Sequence, residues 1–566
     1  MVRSAAAHPE APLAPAPQRP AAGWLRRSLP AILVALYLAQ CLWFVRTQSL
    51  TYDEPVHIAE GLDAWRHGRF EQYNDHPPLV RLLCALPLIG QKWQLEIQPL
   101  AEGFHIASIA PDPQSLAWRA RFMNVLLGLL LAWLLWHVAS HMFSREAATV
   151  SLVLFAFSPS LIAHFSLATT DGAAALLIFA AAWQLVGWRR EPAGRQSIWA
   201  GVILGLMLLA KFSTAVMFLL ALLWMLVLKP DRVMTRPSRW NWGRTGAALL
   251  LAAVVVWAGY FFHVSHLSVR SGKLTATFPN WSEQIEKPVQ TGLNFSLPVP
   301  AGEYIEGFRA LVRHNRHGQA AFFLGQVSQS GGWKLYYPTA MLLKWPAVVL
   351  ALCFAGLALG AVRKLSFPTD LGIMMSFPAL YFCLAVFSHF NIGERHILPL
   401  YPFALLLAGA VWEHASQRRA TVVLLVLLLG LNAADALRFA PGYLSYFNVA
   451  VNPAESYRLM TDSNLDWGQG LLALRQYERN HPREQIWLAY FGSVDPRVYG
   501  ITARPLPENV RVTGTVVVSA TNLSGQFLQD PQSYRWLLQY PRTEILDHSL
   551  YVFKVQGSPT PPLRAP

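Results

Sequence analysis

The chain has 566 residues, 54% hydrophobic and only 14% charged, with a formal net charge of +14. Soluble domains carry about 25% charge, so the composition excludes an ordinary soluble protein and fits a polytopic membrane protein with some soluble mass attached. The basic residues lie in short links between apolar runs, which accounts for the charge without nucleic acid as a partner.

Residues 1–22 are Ala/Pro-rich and read as a disordered cytoplasmic tail. The apolar run at 29–45 lacks a small-residue cleavage site and is followed by further runs, so it reads as a span rather than a signal peptide. Windows able to cross a hydrocarbon core of about 30 Å recur near 28–46, 120–137, 147–166, 171–188, 197–210, 213–228, 245–263, 338–361, 371–389, 397–412 and 420–437. The predicted architecture is therefore mainly α, with about eleven transmembrane helices. The fifth and sixth windows are short enough to form a tilted or re-entrant pair. Lys/Arg bias puts the N-terminus inside, with Arg26, Arg27, Arg145, Arg189, Arg190, Arg363, Lys364, Arg418 and Arg419 in cytoplasmic segments.

Three long segments then face outward: 47–119, 264–336 and 438–566. In the first, "HIAEGLDAWRHG" and "PPLVRLLCALPL" read as two short interfacial helices holding "YDE" and "NDHPP" near the headgroup level. In the last, "QIWLAYFG", "TVVVSAT" and "LYVFKV" are strand-length and alternate with helix-like stretches. Residues 438–566 are read as a small exported α/β domain on a membrane body at 23–437. The four cysteines all lie in apolar segments without CxxC spacing, which argues against a disulfide framework or thiolate metal site.

This topology sends ionisable groups from five or more segments toward one face: Asp53, Glu54, Asp75, His76 and Arg81; Arg119 and Arg121; Asp171; Lys211; Lys344; Arg395 and His396. Charges near lipid are costly unless paired or facing water, so convergence on one cavity is economical. Each residue also has a plainer explanation. Asp53 and Glu54 suit a solvated helix N-terminus, and Asp171 after "ATT" suits a cap. Arg121 and Lys344 suit snorkelling anchors, and His76 a loop. In "DSNLDWGQG", Asp462 and Asp466 fit a turn before a helix. Joint placement is what favours a site. Acids beside arginines suit a lipid-linked phosphate, because Arg binds phosphate through a fork and a carboxylate can deprotonate an attacking hydroxyl. No Walker loop is present, nor a GxGxxG following a strand.

"TYDE", "NDHPPLVRLL", "ARFMNVLLG", "SPSLIAHFSLATTD" and "GERHILPLYPFALLLAGA" together resemble the polyprenol-phosphate-sugar-dependent glycosyltransferases of the GT-C superfamily. Within it, the protein O-mannosyltransferases, the lipid A aminoarabinose transferases and bacterial glycosyltransferase family 39 type members are the nearest. The resemblance implies a multi-pass protein of a bacterial inner membrane, with a cytoplasmic N-terminus and a periplasmic C-terminus. It implies inverting single-displacement transfer from a polyprenyl-phosphate-linked sugar to a periplasmic or outer-leaflet acceptor. Carried over by motif, Asp53 would be the general base, with Glu54 positioning base or acceptor. Arg121, and more weakly Arg81, would bind the donor phosphate. Asp75, His76, Asp171, Lys344, Arg395 and His396 would line the cavity. No cofactor is implied. A divalent cation on Asp53, Glu54 and Asp171 is the minority alternative, since an arginine already supplies positive charge. A secondary transporter and a non-catalytic envelope scaffold are the competing classes. A transporter site belongs near the midplane between repeated halves, and neither feature is visible.

Overall fold

A computed structural model describes residues 20–70, 76–100, 103–190, 194–228, 242–270, 273–281, 284–289, 294–365 and 367–556. The tail expected over 1–22 lies outside the described residues up to residue 19. Its last three residues already belong to the helix Pro20–Thr47.

Helices dominate, and the chain is a multi-pass membrane protein. Among the described residues, seven helices are long and apolar enough to cross a bilayer: Arg27–Thr47, Pro113–Met142, Asp171–Arg190, Trp242–Gly259, Thr369–Val386, Glu394–Ala415 and Arg419–Leu437. Two further apolar stretches are bent, Arg145–Ala156 with Pro159–Phe165 by 66° and Tyr336–Lys344 with Ala347–Ala361 by 110°. Each break precedes a proline, Pro159 or Pro346, which lacks an amide donor and pushes its predecessor out of helical backbone. The remaining two expected windows are the shorter helices Gly194–Ala210 and Phe212–Val227.

Local chemistry sets the helix starts. Asp112 caps Pro113–Met142 by accepting from Ser115 N at 2.6 Å, with Pro113 in the first turn. Ser144 caps the next helix by accepting from Ala147 N at 3.1 Å. Ends that the Lys/Arg bias assigns to one face do meet. Arg189 and Arg190 both pair with Asp370, and Ser144 N donates to Glu413 Oε1 at 2.9 Å.

The first long loop forms the helices Glu54–His67 and Leu79–Ala85. They pack so closely that a Cβ on Gly61 would fall 2.1 Å from the carbonyl oxygen of Arg81. An antiparallel hairpin follows, Gln94–Pro99 with Phe104–Ala110, which the sequence reading did not contain. The second loop holds a four-stranded sheet in the order Ile285–Pro288, Lys273–Thr277, Val264–Arg270, Phe295–Pro300. Its strands alternate poorly and are largely exposed, so they carry little hydrophobic signal.

The C-terminal segment forms a five-stranded mixed sheet ordered Arg504–Pro505, Ile486–Ala489, Gly514–Ser519, Leu550–Val555, Arg542–Leu546. Its core is continuous with the helical body: Val516, Val518 and Phe553 belong to the same buried cluster as Tyr37, Phe155 and Tyr401. Ile106 of the first-loop hairpin also joins this end of the molecule. Its amide donates to Ser493 O at 2.8 Å, and its carbonyl accepts from Asp495 N at 3.0 Å.

Candidate active site

Glu54 opens the first loop helix and lies fully buried. Its carboxylate accepts from Arg121 Nε at 2.8 Å and Nη2 at 2.7 Å. It also accepts from Thr51 N and Oγ1, at 2.8 and 3.0 Å, and from Ala168 N at 2.7 Å. Arg121 is equally buried and spends its other donors on Gln48 O at 2.8 Å and Ser49 O at 2.7 Å. A guanidinium has five N–H donors in a fixed fork; with the long contact of Nη1 to Val45 O at 3.5 Å these five contacts leave none aimed at a ligand. In this structure Arg121 is thus committed to Glu54 and backbone carbonyls rather than presented as the expected phosphate grip, and Glu54, expected to position base or acceptor, is turned inward onto Arg121. The two residues form an internal ion pair that fixes residues 48–54.

Asp53 points the other way. Its side chain keeps 27% exposure, against 0% for Glu54 and 2% for Asp171. Arg395 Nη1 donates to Asp53 Oδ2 at 2.9 Å and lies 3.9 Å from Asp171 Oδ2. One guanidinium nitrogen thus serves carboxylates from two distant segments. Asp171 also pairs with Lys211 Nζ at 2.5 Å. His76 belongs to the same group. Burial holds its imidazole well below the ordinary value, reinforced by Arg81 and Lys211. It is therefore neutral at pH 7, with one nitrogen free to accept and one to donate. His396 neighbours Arg395, and its Nε2 is buried with no hydrogen-bond partner among the described residues.

Two other expected residues, Arg81 and Lys344, are committed elsewhere. Asp75 lies outside the described residues. Arg81 pairs with Glu60 at 2.6 Å and, beside Asp63 and Arg69, lines a small pocket between the loop helices, on the His57–His76 side of the cluster. Lys344 is expected to line the cavity but is only 1% exposed, donating to Leu444 O at 3.0 Å and Asn464 O at 2.5 Å, with Glu394 Oε1 at 3.9 Å. It is an internal strut. No group of three or more His, Cys, Asp or Glu among the described residues can hold a metal ion. Asp53, Glu54 and Asp171 do not gather as one donor set: Glu54 is turned toward Arg121, whereas Asp53 and Asp171 share Arg395 and Asp171 also pairs with Lys211.

Two residues of the cluster come from the C-terminal segment, which the sequence reading left as a turn. The Trp467 ring carries the Arg395 guanidinium 4.0 Å from its centre. Asp462 is buried, and burial raises its carboxyl to about 7 against the pull of Arg395. Nothing in the periodicity of "DSNLDWGQG" marks these residues. The available signal was two acids and a tryptophan in a polar run too short for a helix.

The arrangement resolves into one partly open carboxylate, one cation shared between two acids, a second cation on Asp171, and the imidazoles of His76 and His396. Residues 108–258 match the family model described as dolichyl-phosphate-mannose-protein mannosyltransferase. That segment carries Arg121, Asp171 and Lys211, and the match agrees with the glycosyltransferase resemblance of the sequence. No curated protein matches the chain. Among solved structures, the chain is similar to the S. cerevisiae protein O-mannosyltransferase Pmt1-Pmt2 complex bound to the sugar donor, at 12% identity and TM-score 0.48 over 74% of this chain and 90% of that one. It is also similar to ArnT from Cupriavidus metallidurans bound to undecaprenyl phosphate, at 13% identity and TM-score 0.46 over 94% and 98%. An oligosaccharyltransferase from Archaeoglobus fulgidus matches at 12% identity and TM-score 0.42 over 82% and 62%.

Proposed function

We propose that the chain is an integral-membrane glycosyltransferase that moves a sugar from a polyprenyl-phosphate donor to a hydroxyl-bearing acceptor on the periplasmic side of a bacterial inner membrane. The observation that carries this reading is the sharing of Arg395 Nη1 between the open Asp53 and the buried Asp171–Lys211 pair. Asp53 takes the proton of the acceptor hydroxyl. The acceptor oxygen forms a new bond to the anomeric carbon while the carbon–oxygen bond to phosphate breaks on the opposite face. The lipid phosphate leaves with that electron pair. Arg395 and Lys211, not Arg121, offset its charge, with neutral His76 and the His396 ring available as hydrogen-bonding groups. The N-terminus inside and C-terminus outside follow from the Lys/Arg bias.

The test supplies full-length protein in nanodiscs with labelled polyprenyl-phosphate mannose and bacterial envelope extract. The expected result is label moved to an envelope protein, lipid or glycan with inverted anomeric configuration. Absence of transfer, with gradient-driven uptake by proteoliposomes instead, contradicts the reading and favours a transporter.

A further inference from the structure

Residues 461–469 of the C-terminal segment run between the two stretches that carry Asp53 and Arg395. Toward the first, Tyr52 N donates to Trp467 O at 2.9 Å and Ser49 N to Gln469 O at 3.0 Å. Ser49 Oγ also donates to Gln469 O at 2.7 Å and accepts from Leu471 N at 3.1 Å. These bonds fix the backbone immediately before Asp53. Toward the second, Ser463 Oγ donates to Ile392 O at 2.6 Å, and Glu394 N donates to Asn464 Oδ1 at 2.9 Å. These fix the backbone immediately before Arg395.

The side chain of Arg395 is held more sparely than its backbone. Nη1 meets the two carboxylates, while Nε is buried with no hydrogen-bond partner among the described residues. Against the guanidinium lies the Trp467 ring, its centre 4.0 Å from Arg395 Cζ and itself buried. A planar guanidinium stacks well on an aromatic face, and Trp offers the strongest quadrupole of the three aromatic side chains. One residue thus touches the stretch before Asp53 through its carbonyl and the Arg395 cation through its ring.

We propose that Trp467 is a positioning residue of the transfer site, holding Arg395 so that one guanidinium edge serves Asp53 and Asp171 while the other faces the donor phosphate. The C-terminal segment is then a working part of the site rather than an appended module. This inference rests on the glycosyl-transfer reading given above.

The test uses full-length protein in nanodiscs with labelled polyprenyl-phosphate mannose varied against saturating envelope extract. Trp467→Leu removes the π face and keeps an apolar filling. Its kcat/KM for the donor falls about tenfold, the scale of a desolvated cation–π contact, while the KM for the acceptor stays put. Trp467→Phe recovers all but about threefold, because a smaller π face remains. Thermal midpoints of both variants are measured alongside. If Leu and Phe are equally damaging, or neither changes donor kinetics, the positioning role is wrong. If Trp467→Leu does not fold, Trp467→Phe combined with Arg395→Lys decides: coupled effects support the stack and additive effects overturn it. Asp53→Asn in the same assay separates the two levels. If it transfers as well as wild type, the transfer reading itself fails. If it is inactive while the Trp467 variants are normal, only the inference fails.

Discussion

Asp53 and Glu54 are neighbours in sequence with opposite environments, and that contrast organises the site at the residue scale. Acid type and position after a span were legible in the sequence, as was the need for cations near them. Which acid meets which cation was not, because partner choice is decided by backbone geometry several ångströms away. Arg121 shows this most clearly. Its residue type fits a phosphate grip, yet Glu54 and two carbonyls occupy its fork. Breaking one side of a buried ion pair leaves an uncompensated charge and costs about 3–5 kcal/mol. Arg121→Met or Glu54→Gln is therefore expected to lower the unfolding midpoint markedly and to lose activity with folded protein. The double variant Arg121→Met/Glu54→Met is expected to be less destabilised than Arg121→Met alone. Thermal unfolding of the purified proteins checks this. A folded Arg121→Met with only a raised donor KM restores the phosphate role.

At the scale of elements, all eleven expected apolar windows became helices, since long apolar periodicity is the strongest local signal. The three strand-length runs read in the C-terminal segment also formed strands, at Ile486–Ala489, Gly514–Ser519 and Leu550–Val555. The second-loop sheet was not legible because its short strands lack a regular alternating apolar face; the first-loop hairpin does alternate, at Leu95 and Ile97 and at Phe104 and Ile106, but over runs too short to stand out beside the neighbouring helices. The site depends on close approach between elements that sequence spacing does not reveal. At Gly393, an added Cβ would lie 2.0 Å from Ser463 Oγ, and that hydroxyl is already committed to Ile392 O. Gly393→Ala forces residues 461–464 away from the Arg395 stretch. Overpacking of this kind costs about 1–3 kcal/mol, and transfer is expected to fall more than the folded fraction does. Gly372, with open space around its would-be Cβ, is the control, and Gly372→Ala is expected to be neutral. Activity per folded molecule distinguishes the two.

At the scale of the whole molecule, the continuous core and the convergence of loop, helix ends and C-terminal sheet make stability and site geometry interdependent. Buried acids of the C-terminal segment carry a pH signature. Burial raises the carboxyls of Asp462 and Asp547 to about 7 and that of Asp466 to about 6, whereas an unfolded Asp titrates near about 3.9. Between these values the unfolded chain has released protons that the folded chain still binds. The contribution of these three acids to stability therefore falls as pH rises from about 4 to 7 and levels off above that range. Asp462→Asn is expected to flatten part of this slope in thermal unfolding followed from pH 4 to 8. An unchanged slope places the titration elsewhere.

The central claim is that Asp53, open and bridged by Arg395, is the base of a phosphate-leaving sugar transfer. Its most direct test is Asp53→Asn in nanodiscs, with equilibrium binding of polyprenyl-phosphate mannose and single-turnover transfer measured on the same sample. The account predicts donor binding close to wild type and a transfer rate lowered by about 10²–10⁴-fold, the usual contribution of a positioned base. Transfer at the wild-type rate with Asn at position 53 would contradict it.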